Sequence, residues 1–170
     1  MFLSICVKFN VFFSIEAVET VQSAGKICIL DIDVQGVQNV KKSSLNPYYI
    51  FVAPPSMSAL ESRLRGRASE QEEDIQRRLA NAEAELNYGK QPGNFDLVLI
   101  NDDLTKTFEL LVKNIQKWYP HLKQTLRPRP VVFAGPSGVG KVSTYRFEKW
   151  IYQIIPSAKV SKLYCNSNSR

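Results

Sequence analysis

A parallel α/β sheet flanked by helices on both faces is the architecture this sequence predicts, and three observations carry the prediction. Short continuous apolar runs recur along the chain, the pattern of strands buried on both faces. Segments with helical apolar spacing alternate with those runs. One run, Val131 to Ala134, leads directly into a glycine-rich loop and then into further helical sequence.

Each element has its own signal. Residues 1–13 (MFLSICVKFNVFF) are apolar, but no basic stretch precedes the run and Lys8 interrupts it, so they do not read as a signal peptide. They are too short to span a bilayer and read as a buried strand or as sequence outside the fold. Residues 26–30 (KICIL) form a buried strand that reaches Asp31 and Asp33 at the carboxyl edge of the sheet. Val34, Val37 and Val40 mark a helix over 34–42. A second strand, YYIFVA at 48–53, is stopped by Pro54 and Pro55. Ser56 is then a natural N-cap for a helix carrying Met57, Leu60 and Leu64. Residues 69–88 carry a long helical pattern through Ile75, Leu79, Ala82 and Leu86, broken by Pro92 and Gly93. LVLI at 97–100 is a third strand, and Asp103 caps a helix with Phe108, Leu111, Val112 and Ile115 on its apolar stripe. Residues 119–130 are polar and proline-containing, a linker. VVFA at 131–134 is the fourth strand, helical sequence runs from Lys141 to about Ile154, and the tail from Pro156 is weakly patterned.

Composition narrows the function classes. A chain of 170 residues suits one domain, and apolar and charged shares of 44% and 22% are those of a globular protein. The net charge of +6 favours an anionic partner. Cys6, Cys28 and Cys165 are odd in number, far apart and without ligand spacing, which implies free thiols in a reducing, cytoplasmic setting and no metal site. His121, alone in the polar linker, reads as a surface residue. The basic residues concentrate between Arg63 and Arg78 with no interleaved aromatics, which argues against nucleic acid.

The loop carries the chemistry. Gly135, Gly140 and Lys141 match the spacing of G-x-x-x-x-G-K between a strand and a helix. Glycines let the backbone wrap a phosphate with its N–H groups inward, and the following helix N-terminus adds about half a positive charge. The position after Lys141, where a hydroxyl would hold magnesium, is Val142, with Ser143 and Thr144 one place late. Ser143 points about 100° further round a helix than that position.

With the loop, KICILDIDVQGV (26–37), FVAPPS (51–56), LRGRASEQEEDIQRRLANAEAEL (64–86) and FDLVLINDDL (95–104) resemble the guanylate kinase family. The resemblance covers residues 14–117 and again 129 to about 141. It implies a P-loop NTPase-type three-layer sheet in circularly permuted order. On this reading residues 14–118 are the family's later part with its lid at about 64–89, 119–130 is a linker, and 131–170 is the family's opening strand, loop and helix. It also implies a kinase that transfers phosphate from ATP to GMP. Gly135, Pro136, Ser137, Gly138, Val139, Gly140, Lys141 and Ser143 would cradle ATP, with Asn101 and Asp102 on its adenine side. Lys141 and the lid arginines Arg67 and Arg78 would act on the transferring phosphate. Asp31, Asp33 and Arg170 would face GMP, and Mg²⁺ is expected with ATP although Val142 stands at its hydroxyl position. The family's GMP-binding lobe is almost absent here. Arg63, Arg65 and Arg77 read mainly as solubility charges on exposed helix. The expected partners are small nucleotides, for a monomer bound to neither membrane nor nucleic acid. Two other readings stay open: a non-catalytic guanylate-kinase-like module that binds protein partners, and a rearranged fragment without function.

Overall fold

The computed structural model describes residues 2–7, 15–66, 71–120, 128–139 and 159–163. Six strands form a single sheet: β1 (Phe2–Val7), β2 (Cys28–Asp31), β3 (Tyr48–Ala53), β4 (Leu97–Ile100), β5 (Val131–Ala134) and β6 (Lys159–Leu163). Their order is β4-β3-β5-β2-β1-β6, and every neighbouring pair is parallel. Five helices are described: α1 (Ile15–Ser23), α2 (Val34–Lys41), α3 (Met57–Arg65), α4 (Glu72–Lys90) and α5 (Leu104–Trp118).

The period-two alternation of the strands sorts their residues into two cores. Ile29, Ile50, Val52, Leu99 and Val131 face one side, with Leu60 and Leu64 of α3, Ile75 and Ala82 of α4, and Phe108 and Leu111 of α5. Cys28, Leu30, Phe51, Ala53, Val132 and Ala134 face the other side, with Val18 and Val21 of α1 and Val34, Val37 and Val40 of α2. That is the α/β three-layer arrangement, with helices on both faces of a parallel sheet. Parallel strands buried on both faces explain why their sequences are continuous apolar runs.

The caps act as their residue types require. Ser56 Oγ accepts from Ala59 N at 3.0 Å, Asp33 Oδ1 from Gly36 N at 2.7 Å, and Asp103 Oδ1 from Lys106 N at 3.0 Å. Each satisfies an otherwise unpaired first-turn amide, which contributes about 1 kcal/mol.

Two elements went unread in the sequence. The helix α1 carries Ile15, Val18 and Val21 at the same three-residue spacing as α2, a signal that was passed over, and buries Val18 and Val21. Its stop is visible at Gly25, where φ is 69°. Gly25 N donates to Gln22 O at 2.8 Å and Lys26 N to Val21 O at 3.3 Å, the paired bonds of a glycine-terminated helix. In the tail read as weakly patterned, Lys159–Leu163 forms β6 and pairs with β1. Edge pairing asks only for backbone hydrogen bonds, which leave little trace in side-chain pattern. The helical run expected from Lys141 lies outside the described residues.

The linker ends lie together. Tyr119 Oη donates to Arg129 O at 2.7 Å. The Arg129 guanidinium lies 3.9 Å from the Tyr48 ring centroid, and Arg129 Nη2 donates to Asn46 Oδ1 at 2.9 Å. Tyr48 stacks on Trp118 with centroids 4.4 Å apart, and Tyr48 N donates to Pro130 O at 2.8 Å. The end of α5, the start of β3 and the entry to β5 are therefore clasped at one point.

Candidate functional site

The loop begins at the centre of the sheet. Phe133 of β5 is level with Asp31 of β2 and Ile50 of β3, so the carboxyl ends of all three strands share one edge. In open α/β sheets ligands bind outside that edge. Gly135 follows β5 with φ 150°, and a Cβ there would lie 2.2 Å from Val52 O. The backbone leaves the sheet so close to β3 that only glycine fits.

Pro136, Ser137, Gly138 and Val139 form a turn closed by Val139 N donating to Pro136 O at 3.2 Å. Gly138, at φ 85°, takes the turn position that requires a positive φ. A Cβ on Gly138 would meet Leu64 Cδ2 at 2.5 Å. Val139 is fully buried in the core that holds Leu60 and Leu64. Half of this loop is thus anchored by ordinary core packing against α3, and the Val139 amide is engaged within the turn.

Polar contacts tie the loop to three other elements. Asn101, at the end of β4, is buried; its Nδ2 donates to Val139 O at 2.9 Å, and its backbone N donates to Ala53 O at 2.7 Å. Arg63 Nη1 donates to the same Val139 O at 3.2 Å and Nη2 to Asn101 O at 2.8 Å. Arg78 Nη1, from α4, donates to Ser137 Oγ.

The expected site residues therefore gather unevenly. Gly135, Pro136, Ser137, Gly138, Val139, Asn101 and Arg78 come together at one end of the sheet. Asp31 and Asp33 lie along the same edge, and Asp33 caps α2. Asp102 is exposed beside Asn101. Arg67, Gly140, Lys141, Val142, Ser143 and Arg170 lie outside the described residues. Among the described residues no group of three or more His, Cys, Asp or Glu side chains is placed to hold a metal ion.

Sequence reading misjudged Arg63. It is not an exposed solubility charge, because both of its terminal nitrogens hold carbonyls at the site. The signal was its spacing: Arg63 lies three residues after the buried Leu60 and shares that helix face. Arg65 and Arg77 do behave as surface charges. Arg77 pairs with Asp74 at 2.5 Å. Arg65 grips Glu72 with two nitrogens, one bond at 2.7 Å, and also Glu61 at 2.9 Å. Hydrogen bonds from Arg65 and then Gln76 hold the Glu72 carboxyl down at about 2, and the Glu72 carboxylate raises Arg65 further above its ordinary value. This bridge joins the end of α3 to the first turn of α4.

A parallel sheet with a glycine loop leaving its central strand, gripped by arginines from the flanking helices, defines a P-loop NTPase-type α/β protein. The chain belongs to the guanylate kinase family, whose profile matches residues 10–118. It is 57% identical over 100 residues to Guanylate kinase 1 of Oryza sativa subsp. japonica, a match covering 59% of this chain and 26% of that protein. It is 50% identical over 105 residues to the guanylate kinase of Sus scrofa and 48% identical over 105 residues to that of Homo sapiens; each match covers 59% of this chain and 53% of the relative. The chain thus spans about half or less of the length of these curated relatives. The family match ends before β5 and the loop.

Proposed function

We propose that this chain is a guanylate-kinase-type nucleotide-binding domain that seats ATP on residues 135–141 and transfers its terminal phosphate to GMP. The observation that supports it is the position of β5. It stands between β2 and β3 although it follows them in sequence, and this brings its loop to Asn101, Arg63 and Arg78. The same insertion supports reading the element order as a circular permutation of the family, with a later core (14–118), a linker (119–130) and a loop segment (131–170).

Phosphoryl transfer asks for alignment and charge neutralisation more than covalent chemistry. Lys141 would draw charge from the terminal phosphates, and Arg67 and Arg78 would close on the transferring group, where one positioned arginine contributes about 10³ to 10⁵ in rate. Asn101 and Asp102 would meet the adenine side of ATP. Asp31 and Asp33, at the adjoining edge, would face GMP, with Arg170 at its phosphate. Magnesium, when bound with ATP, would neutralise phosphate charge. The described donors do not make a cage for it, and Val142 offers no ligand atom, so no step is routed through it.

Within these 170 residues the resemblance assigns only Asp31, Asp33 and Arg170 to GMP. We therefore expect ATP binding to exceed GMP phosphorylation in strength. Titration with a fluorescent ATP analogue should show saturable binding that Lys141→Ala weakens at least about tenfold, and a coupled ADP assay should show only weak dependence on GMP. Absence of analogue binding by the wild type would overturn the proposal. GMP-dependent turnover of about 10 s⁻¹, an ordinary enzyme rate, would overturn the expected imbalance.

A further inference from the structure

The bond from Arg78 to Ser137 is not needed to transfer phosphate, yet the fold aims it. Arg78 lies on the face of α4 that carries Ile75 and Ala82, three residues after one and four before the other. Both of those are buried in the core that also holds Val139. The packing that seats α4 therefore points the Arg78 side chain at the loop. Ser137 is at the second position of the Pro136–Val139 turn, where its hydroxyl meets Arg78 Nη1. The next residues are held separately: Gly138 lies against Leu64, and Val139 O accepts from Arg63 and Asn101. The Ser137 tie can thus be cut without detaching the loop.

The geometry points to a protein-closed strap, in which Ser137 holds the lid arginine Arg78 over the loop and fastens α4 to it through the chain's own atoms. The inference rests on the nucleotide reading above and adds a step to it. A neutral hydroxyl is a weaker acceptor for a guanidinium than an anionic phosphate oxygen. An arriving phosphate therefore takes Arg78 from Ser137, and the arginine is already in place when it does. The α4 side of the site is in place before binding, and nucleotide takes over the bond that Ser137 held.

The test is amide hydrogen exchange on the full chain without nucleotide, comparing wild type, Ser137→Ala and Ser137→Thr. In Ser137→Ala, the amides of residues 137–139 and of the α4 turn around Arg78 should exchange about tenfold faster. Ser137→Thr keeps the hydroxyl and should match wild type, and the melting temperature should stay within about 2 °C in both. If Ser137→Ala does not fold, Arg78→Met, which keeps an apolar stem and carries no donor, should show the same local acceleration. Exchange in Ser137→Ala that matches wild type, or in the Arg78 variant where Ser137→Ala does not fold, would overturn the strap, whatever the nucleotide result. The same samples are titrated with the fluorescent ATP analogue. Wild-type protein with local protection but no binding would overturn the nucleotide reading and leave the strap standing.

Discussion

At the scale of single residues, the site depends on where backbone meets backbone. Gly135→Ala should cost about 2 to 4 kcal/mol in urea denaturation, combining positive-φ strain with overlap. The overlap cannot relax, because the atom met at 2.2 Å is the Val52 carbonyl oxygen within β3. Gly138→Ala should cost less, about 1 to 2 kcal/mol, since its neighbour is the side chain of Leu64 and not strand backbone. Equal losses at the two positions would contradict this account. The need for glycine at Gly135 was legible in the loop pattern, whereas Gly138 stands at a variable position of it. What each glycine avoids was not legible, because Val52 and Leu64 are remote in sequence and only folding brings them alongside. Arg63 shows the same limit. Helix spacing placed it beside Leu60, but the carbonyls it holds belong to the ends of two other elements.

At the scale of elements, α3 and α4 are joined by the exposed Arg65 pairings with Glu61 and Glu72. Glu72 is held at about 2, below its ordinary 4.5. A depressed carboxylate contributes stability that is fully present above its unfolded pKa and is lost as pH falls through its folded one. The bridge should therefore be intact above about pH 4.5 and open progressively towards about pH 2. Both side chains are exposed, so the effect on stability should be small and fade with salt. NMR titration of the Glu72 carboxyl checks it: Arg65→Ala should return Glu72 towards its ordinary value, and an unchanged titration would remove the bridge as its cause. The strands β3, β4 and β5 and the caps Ser56 and Asp103 were readable from local sequence, since each depends on its own run or its own side chain. The helix α1 was as legible, in Ile15, Val18 and Val21, but was passed over, and the strand β6 was not legible, since it is joined by backbone pairing.

At the scale of the whole molecule, the element order is permissive because the clasp at Tyr48, Tyr119 and Arg129 holds the linker ends within a hydrogen bond of each other. A reordered chain, with residues 128–170 placed ahead of residues 1–120, should fold to the same sheet. Because β6 and β1 are parallel neighbours, whose connection must cross over with about a dozen residues or more, a flexible insert of about eight residues is added to residues 164–170 and Met1 between them. Circular dichroism and melting should match the original within about 5 °C; a molten or unfolded product would show that the present order is required. The sequence by itself determined the α/β class, most strands and helices, the glycine loop and the family resemblance. Those properties reside in local periodicity and short motifs. The permuted-order reading already required the late strand to enter the sheet and Asn101 and Arg78 to meet its loop; only the tertiary structure decided that β5 stands between β2 and β3 and that Arg63 joins them. Strand order and convergence are set by pairing and packing between segments far apart in the chain, and no local pattern encodes those distances.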